Sequence, residues 1–196
     1  MTLRITSANA VPIRLRSPVA AFGAVAPTAP LYGQKSSNWC WLAVAQMVGD
    51  TPPRAFGLAQ CSLAIRYIAG AAGCCSSVNS SCDRPGAPPD ISQIYTDNGL
   101  SFSMSPVPAL EARVQSALAK GYLVEIGWQT ANLGHVVLVV GSHRDALGNT
   151  RYTVNDPSPP NIGQIRILDF GGLTKPPLVS TGGGPWKWTY TWIDIH

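Results

Sequence analysis

The pattern of apolar and polar positions predicts helices in the first half of the chain and strands in the second. Residues 39–48 are apolar on almost every side apart from Gln46, and they are good helix formers, as is typical of a buried helix. Apolar residues at helical spacing predict further helices after Gln60, around Ile94 and over 110–118. Alternating or β-branched runs predict strands over 122–128, 134–141, 151–156, 164–170 and 186–192. Helices followed by antiparallel strands indicate an α+β fold.

Composition indicates one domain preceded by an arm. A chain of 196 residues that is 45% hydrophobic buries one sizeable core, which we place in residues 31–196. Residues 1–30 contain four prolines and predict an extended N-terminal arm or short pro-segment, without a convincing secretory signal. The net charge is +4 without a run of Lys or Arg, and no apolar segment is long enough to span a membrane. We therefore expect no nucleic-acid or membrane partner, and a monomer.

The predicted central helix carries a candidate nucleophile. Cap-type residues at 36–38 precede it, so Cys40 is expected in its first turn, where the helix dipole and free N–H groups favour a thiolate. Gln34 lies six residues upstream, where a loop can fold its amide back as a donor to an oxyanion. The alternative is that Cys40 is an inert core cysteine.

The strands supply a base and a group that orients it. His135 begins an apolar, β-branched run, and Gly134 before it leaves room for a substrate backbone. In the later strand, Asp156 and its neighbour Asn155 point to opposite faces, so one of the two meets the imidazole if the strands are adjacent. Cysteine, histidine and an acid or amide in this order indicate nucleophilic catalysis.

These motifs resemble the papain-like cysteine peptidases, in particular the bacterial branch that includes the secreted avirulence proteases and the staphopains. The resemblance runs from about Gln34 to Pro157 and rests on four segments: Gln34, Asn38-Trp39-Cys40-Trp41, Gly134-His135 and Asn155-Asp156-Pro157. It implies a two-lobed papain-like fold in which a central helix carrying the nucleophile packs on an antiparallel sheet or half-barrel lobe.

The resemblance also implies a role for each site residue. Cys40 becomes the nucleophile, His135 the base and Gln34 the oxyanion donor. Asp156 becomes the orienting residue, on strand parity and likeness together, with Asn155 as the alternative. The implied activity is that of a cysteine endopeptidase working through a thioester, with a protein or peptide substrate and neither metal nor cofactor. A glutamine deamidase or transglutaminase toxin is the alternative, because it shares the thioester chemistry.

The aromatic residues around these motifs give weaker predictions. Trp39 and Gly134 are expected to border the substrate cleft, and Trp41 to lie in the core. The alternating aromatic stripe over 186–192 is expected to be a sheet face packed on its own core rather than a substrate groove.

The remaining cysteines predict two disulfides and an exported protein. Cys61, Cys74, Cys75 and Cys82 form an even set without metal-site spacing. Adjacent cysteines rarely bond to each other, which leaves Cys61–Cys74 with Cys75–Cys82, or Cys61–Cys75 with Cys74–Cys82. Disulfides indicate an oxidising, extracellular destination.

One segment of the arm resembles the self-processing site of avirulence-type proteases. Val19, Phe22 and Gly23 match that site, whereas Ala20 and Val25 depart from it. The favoured alternative is that Phe22 simply docks on the domain.

Overall fold

The computed structural model describes residues 29–54, 57–68, 73–74, 81–176 and 184–196. Its helices are α1 (Cys40–Gly49), α2 (Gln60–Tyr67), α3 (Pro88–Asp97), α4 (Glu111–Ala119) and α5 (Phe170–Thr174). Its strands are β1 (Ser103–Ser105), β2 (Leu123–Gln129), β3 (Gly134–Arg144), β4 (Thr150–Asp156), β5 (Gln164–Leu168) and β6 (Lys187–Ile195). The predicted α+β class is confirmed.

The six strands form one antiparallel sheet in the order β1-β6-β2-β3-β4-β5. One apolar cluster fills the space between the sheet and helices α1–α3, and a second lies between the opposite sheet face and α4 with α5. Helix α1 is buried on all sides except at Gln46, as its apolar sequence predicts, and it packs against β3. The helix that carries Cys40 therefore rests directly on the strand that begins beside His135.

Two local features differ from the sequence prediction. The strand predicted over 164–170 ends earlier, at Leu168. It ends there because Asp169 caps the short helix α5 by accepting a hydrogen bond from the Gly172 N–H. The residues at 36–38 do not cap α1: its N-cap is Trp39, without a side-chain hydrogen bond. The side chain of Asn38 instead binds the backbone of Asp83.

The aromatic stripe over 186–192 does not lie on one face of the sheet. Gly127 pairs with Tyr190 but Trp128 pairs with Trp188, so one extra β6 residue forms a bulge at Thr189. The extra residue interrupts the alternation of the strand, so residues two apart across the bulge point to opposite faces of the sheet. Trp188 consequently packs with the α4 side, while Tyr190 packs towards the α1 side.

The chain that enters the domain is fixed along the end of β4. The Asn155 side-chain amide donates to the carbonyls of Ala29 and Pro30, and the Gln34 N–H donates to the Pro157 carbonyl. The predicted arm before residue 29, including the segment that resembles a processing site, lies outside the described residues.

The cysteine-rich region contains the Cys74–Cys82 disulfide. The expected alternative with Cys61–Cys74 and Cys75–Cys82 is therefore wrong. Cys61 is also disulfide-bonded, whereas Cys75 lies outside the described residues. Among the described cysteines, Cys40 is the free thiol.

Candidate active site

Cys40 is the first residue of α1, and 8% of its surface is exposed. It lines a pocket together with His135 and Gly134. The helix begins at this residue, so the sulfur belongs to the turn where backbone N–H groups lack intrahelical partners and the helix dipole is positive. A partly accessible thiol at this position is suited to act as a nucleophile.

The start of α1 is held by the segment 82–84, which follows the disulfide. Successive carbonyls of residues 82, 83 and 84 accept hydrogen bonds from the side chains of Trp39, Asn38 and Trp41 respectively. The Asp83 carboxylate also accepts from the Asn38 backbone N–H at 2.8 Å. Four hydrogen bonds therefore fix the turn that presents Cys40, and the disulfide ties the supporting segment to Cys74.

His135 and Asp156 meet at the ends of neighbouring strands. Leu138 pairs with Asn155 in the antiparallel β3–β4 ladder, so Asp156 lies opposite residue 137, on the face that His135 shares. The His135 Nε2 lies 2.7 Å from Asp156 Oδ1. An ionised carboxylate only accepts hydrogen bonds, so Nε2 carries the proton and Nδ1 is left for the Cys40 side chain, which is also hydrogen-bonded to this ring.

Asp156 is completely buried, and three donors hold its carboxylate. Oδ1 accepts from His135 and from the Ser158 backbone N–H at 2.9 Å. Oδ2 accepts from Arg166 Nε at 2.6 Å. No local pattern in the sequence indicates Arg166, because only the β4–β5 pairing brings it to Asp156.

Hydrogen bonds shift the pKa values of His135 and Asp156 more strongly than burial shifts them in the opposite direction. Burial alone would lower the pKa of His135, but its hydrogen bonds with Asp156 and Cys40 raise that pKa from 6.5 to about 9. Burial would raise the pKa of Asp156, but hydrogen bonds from His135, Ser158 and Arg166 keep it below its ordinary value. At neutral pH this arrangement favours an imidazolium beside an ionised carboxylate.

Asn155 does not contact the imidazole. Its side chain points to the opposite face of β4 and binds the carbonyls of Ala29 and Pro30. Of the two residues that the sequence left in competition, the structure brings Asp156 to His135 and uses Asn155 to fix the incoming chain.

Gln34 is buried and lies beside the site. It lines a second cavity with Ser37, Asn38 and His135. Its amide Nε2 donates to the carbonyls of Ser36 and Ser37, and Oε1 has no hydrogen-bond partner among the described residues. The amide must therefore turn away from these carbonyls before it can donate to an oxyanion.

The pocket beside Cys40 is lined mainly by apolar and aromatic groups. Its apolar lining comprises Trp41, Pro85, Pro88, Ile91, Trp128, Val136, Tyr190 and Trp192, and the described part of the lining contains no acidic side chain, Lys or Arg. Gly86 lies flat against the indole of Trp41, where a Cβ would come within 2.3 Å of the ring. The pocket is therefore suited to an apolar side chain of a ligand.

The two tryptophans beside Cys40 are both buried. Trp39, which was expected to border the cleft, is 1% exposed, donates its indole N–H to the Cys82 carbonyl and does not line the pocket. Trp41 lies in the core as expected, 2% exposed, and its ring also forms part of the pocket wall. Gly134 lies at the pocket edge as expected, and a Cβ there would meet no atom within 4 Å.

Trp186 stands edge-on to His135, with 6.4 Å between the ring centroids. It lines the same cavity as Gln34, and its indole N–H is buried without a partner among the described residues. Its apolar ring limits the access of water to the imidazole. The sequence predicts only a sheet face for this residue, since no local pattern indicates its approach to His135.

Other kinds of site find little support within the described ranges. No group of three or more His, Cys, Asp or Glu residues there is placed to hold a metal ion. No helix in that part of the chain is long and apolar enough to cross a membrane.

In comparisons with known proteins, no family model matches the chain and no curated protein is similar to it in sequence. Its function therefore has to be inferred from its own residues.

Proposed function

We propose that the protein is a papain-like cysteine endopeptidase with Cys40, His135 and Asp156 as its catalytic triad. The observation that carries the proposal is the His135–Asp156 pair at 2.7 Å, whose imidazole lines the same apolar pocket as Cys40 at the start of α1. Residues of helices α1 and α3 line the pocket together with residues of strands β2, β3 and β6, which is consistent with a cleft between two lobes of a papain-like fold.

The proposed reaction begins from an ion pair in which the Cys40 thiol has already given its proton to His135 Nδ1. The thiolate attacks the peptide carbonyl carbon, a C–S bond forms, and the carbonyl electron pair moves to oxygen. The Cys40 backbone N–H at the start of α1 supports that oxyanion, joined by Gln34 once its amide turns towards it. His135 Nδ1–H then protonates the leaving amine as the C–N bond breaks, which leaves a thioester.

Hydrolysis of the thioester uses the same groups in reverse order. Neutral His135 accepts a proton from water through Nδ1, the hydroxide attacks the thioester carbonyl, and Cys40 leaves as the thiolate. Asp156 stays ionised throughout and holds Nε2–H, so that Nδ1 always faces the sulfur. No step requires a metal ion or a cofactor.

The pocket favours an extended peptide with a bulky apolar side chain near the scissile bond. Its aromatic and proline walls offer no charge to pair with an acidic or basic side chain. Open space beside Gly134 leaves room for a peptide backbone next to His135. The Cys74–Cys82 disulfide supports the further proposal that the protein is exported to an oxidising compartment.

Incubation of a denatured proteome with wild type and with Cys40→Ala tests this function. We expect new protein N-termini with the wild type only, and apolar residues enriched at one position near each cut. A control variant, Ser37→Ala, changes a neighbour whose backbone carbonyl alone is used in the described contacts, and it should cut at the same sites. Cuts that persist in Cys40→Ala would contradict the proposal. Intact chains carrying a mass increase of about one dalton at Gln would also contradict it and would indicate deamidation.

A further inference from the structure

We propose that Arg166 is a positioning residue for the triad: it holds the buried Asp156 carboxylate in the orientation that fixes His135. This role rests on the proposed function, because it matters for catalysis only if His135 acts on Cys40. Arg166 does not act on substrate. It acts through Asp156.

The β4–β5 register directs Arg166 to Asp156. Arg166 pairs with Val154, and Val154 shares a sheet face with Asp156, so the Arg166 side chain lies beside the carboxylate. The guanidinium Nε donates to Oδ2 at 2.6 Å. The side chain of Arg166 is 21% exposed and that of Asp156 is 0% exposed, so the contact is largely shielded from water.

The chemistry of a buried carboxylate makes a second cation necessary. A carboxylate that is fully removed from water needs hydrogen bonds and countercharge to remain ionised. His135 and the Ser158 N–H both bind Oδ1, and Arg166 is the partner of Oδ2 among the described residues. An Asn at this position would be neutral and would need no countercharge. The choice of Asp therefore accounts for the presence of Arg166.

Loss of Arg166 should act on His135 through two effects. Oδ2 would lose its described partner, so the carboxylate could rotate and hold the imidazole less firmly. The pKa of Asp156 would also rise, because a hydrogen bond that lowers it is removed. The titratable or charged side chains recorded at this carboxylate are His135 from β3 and Arg166 from β5.

A double-mutant cycle tests the proposal. Arg166→Met and Arg166→Lys are made in the wild type and in Asp156→Asn. Arg151→Met serves as the matched control, and His135→Ala shows how far Cys40 reactivity depends on the imidazole. Arg151 also donates its Nε to a carboxylate, that of Asp145 at 2.9 Å, but in a hairpin remote from Cys40. Three quantities are measured: kcat/KM on a peptide, the rate of Cys40 alkylation by iodoacetamide against pH, and Tm.

We expect Arg166→Met to lower kcat/KM by about 10- to 100-fold, a range typical of residues that orient a site histidine from its outer shell. In the Asp156→Asn background the same change should cost less than about 2-fold, because the two residues act as one unit. The acid limb of the alkylation profile should move to higher pH in Arg166→Met and return towards the wild type in Arg166→Lys. Arg151→Met should leave that profile unchanged.

An equal loss in both backgrounds, or a lower Tm with an unchanged alkylation profile, would overturn the proposal by showing a merely structural contact. Alkylation needs no substrate, so it separates the two levels of inference. If Cys40 reactivity depends on His135 but not on Arg166, the positioning role fails and the triad stands. If Cys40 reactivity is also independent of His135, the proposed function fails as well.

Discussion

The buried carboxyl of Glu125 gives a quantitative prediction about stability. Glu125 lies in β2 with none of its surface exposed, and the Tyr95 hydroxyl donates to its Oε2. Its Oε1 has no hydrogen-bond partner among the described residues. Burial raises the pKa of this carboxyl from 4.5 to about 8, although the Tyr95 hydrogen bond lowers it in part.

The sign and size of the effect follow from proton linkage. Between pH 4.5 and about pH 8 the folded protein holds a proton on Glu125 that the unfolded chain has lost. The free energy of unfolding is therefore highest below pH 4.5 with respect to this group and falls as the pH rises through about 8. The difference of about 3.5 units, at 1.36 kcal/mol per unit, corresponds to a loss of about 5 kcal/mol across this window.

Replacement of Glu125 by Gln removes the titration and keeps the shape. The difference in unfolding free energy between Glu125→Gln and its parent should grow in favour of Gln by about 1.4 kcal/mol per pH unit between pH 5.5 and pH 7, and should level off above about pH 8. Urea denaturation followed by tryptophan fluorescence, with both proteins in a Cys40→Ala background to prevent self-digestion, measures it. The titration of His135 cancels in the difference.

A companion variant tests the cause. Tyr95→Phe removes the hydrogen bond that lowers the pKa of Glu125, so the loss of stability should extend to higher pH than in the parent. Parallel stability curves for Glu125→Gln and its parent across this range would refute the reasoning. They would show that the carboxyl has an ordinary affinity for protons in the folded protein.

Three further predictions concern the site and its support. Asp156→Ala should lower kcat/KM by about 10⁴-fold, because the His135 tautomer is no longer fixed, and by far more than Asn155→Ala; the reverse ranking in steady-state assays would move the orienting role to Asn155. Gly134→Ala should leave Tm unchanged, since its Cβ meets no atom within 4 Å, and should raise KM for peptides; an unchanged KM would show that no substrate backbone passes there. Replacing both Cys74 and Cys82 by Ser should lower the free energy of unfolding by about 2.5 kcal/mol, because the disulfide closes a short loop. Peptide turnover should also fall, because residues 82–84 support the start of α1. Full turnover in the double variant would contradict that support.

The parts of the site that depend on local pattern could be predicted from the sequence. The apolar segment around Cys40 predicts a buried helix, and that helix begins at this cysteine. Strand parity predicts that only one of Asp156 and Asn155 can meet the imidazole, since alternate residues point to opposite faces, and the resemblance favours Asp156. Helix and strand periodicities are short-range, so a single sequence shows them.

The parts that depend on tertiary pairing could not be predicted. Arg166 reaches Asp156 through the β4–β5 register, which no local pattern encodes. Without the bulge at Thr189, Trp188 and Tyr190 would point to the same face of the sheet. The bulge places them on opposite faces, so the aromatic stripe does not form one face. Trp41 rather than Trp39 reaches the pocket because residues 82–84 fold against the start of α1.

Covalent labelling of Cys40 tests the central claim most directly. The protein is treated with an epoxysuccinyl inhibitor that carries an apolar side chain, and the adduct is located by peptide mass spectrometry without prior reduction. The triad predicts one adduct per chain, on Cys40, with a rate that falls steeply in His135→Ala and in Asp156→Asn. A label on another residue, or a rate at Cys40 that is the same in His135→Ala, would contradict the assignment of Cys40 as a nucleophile activated by His135.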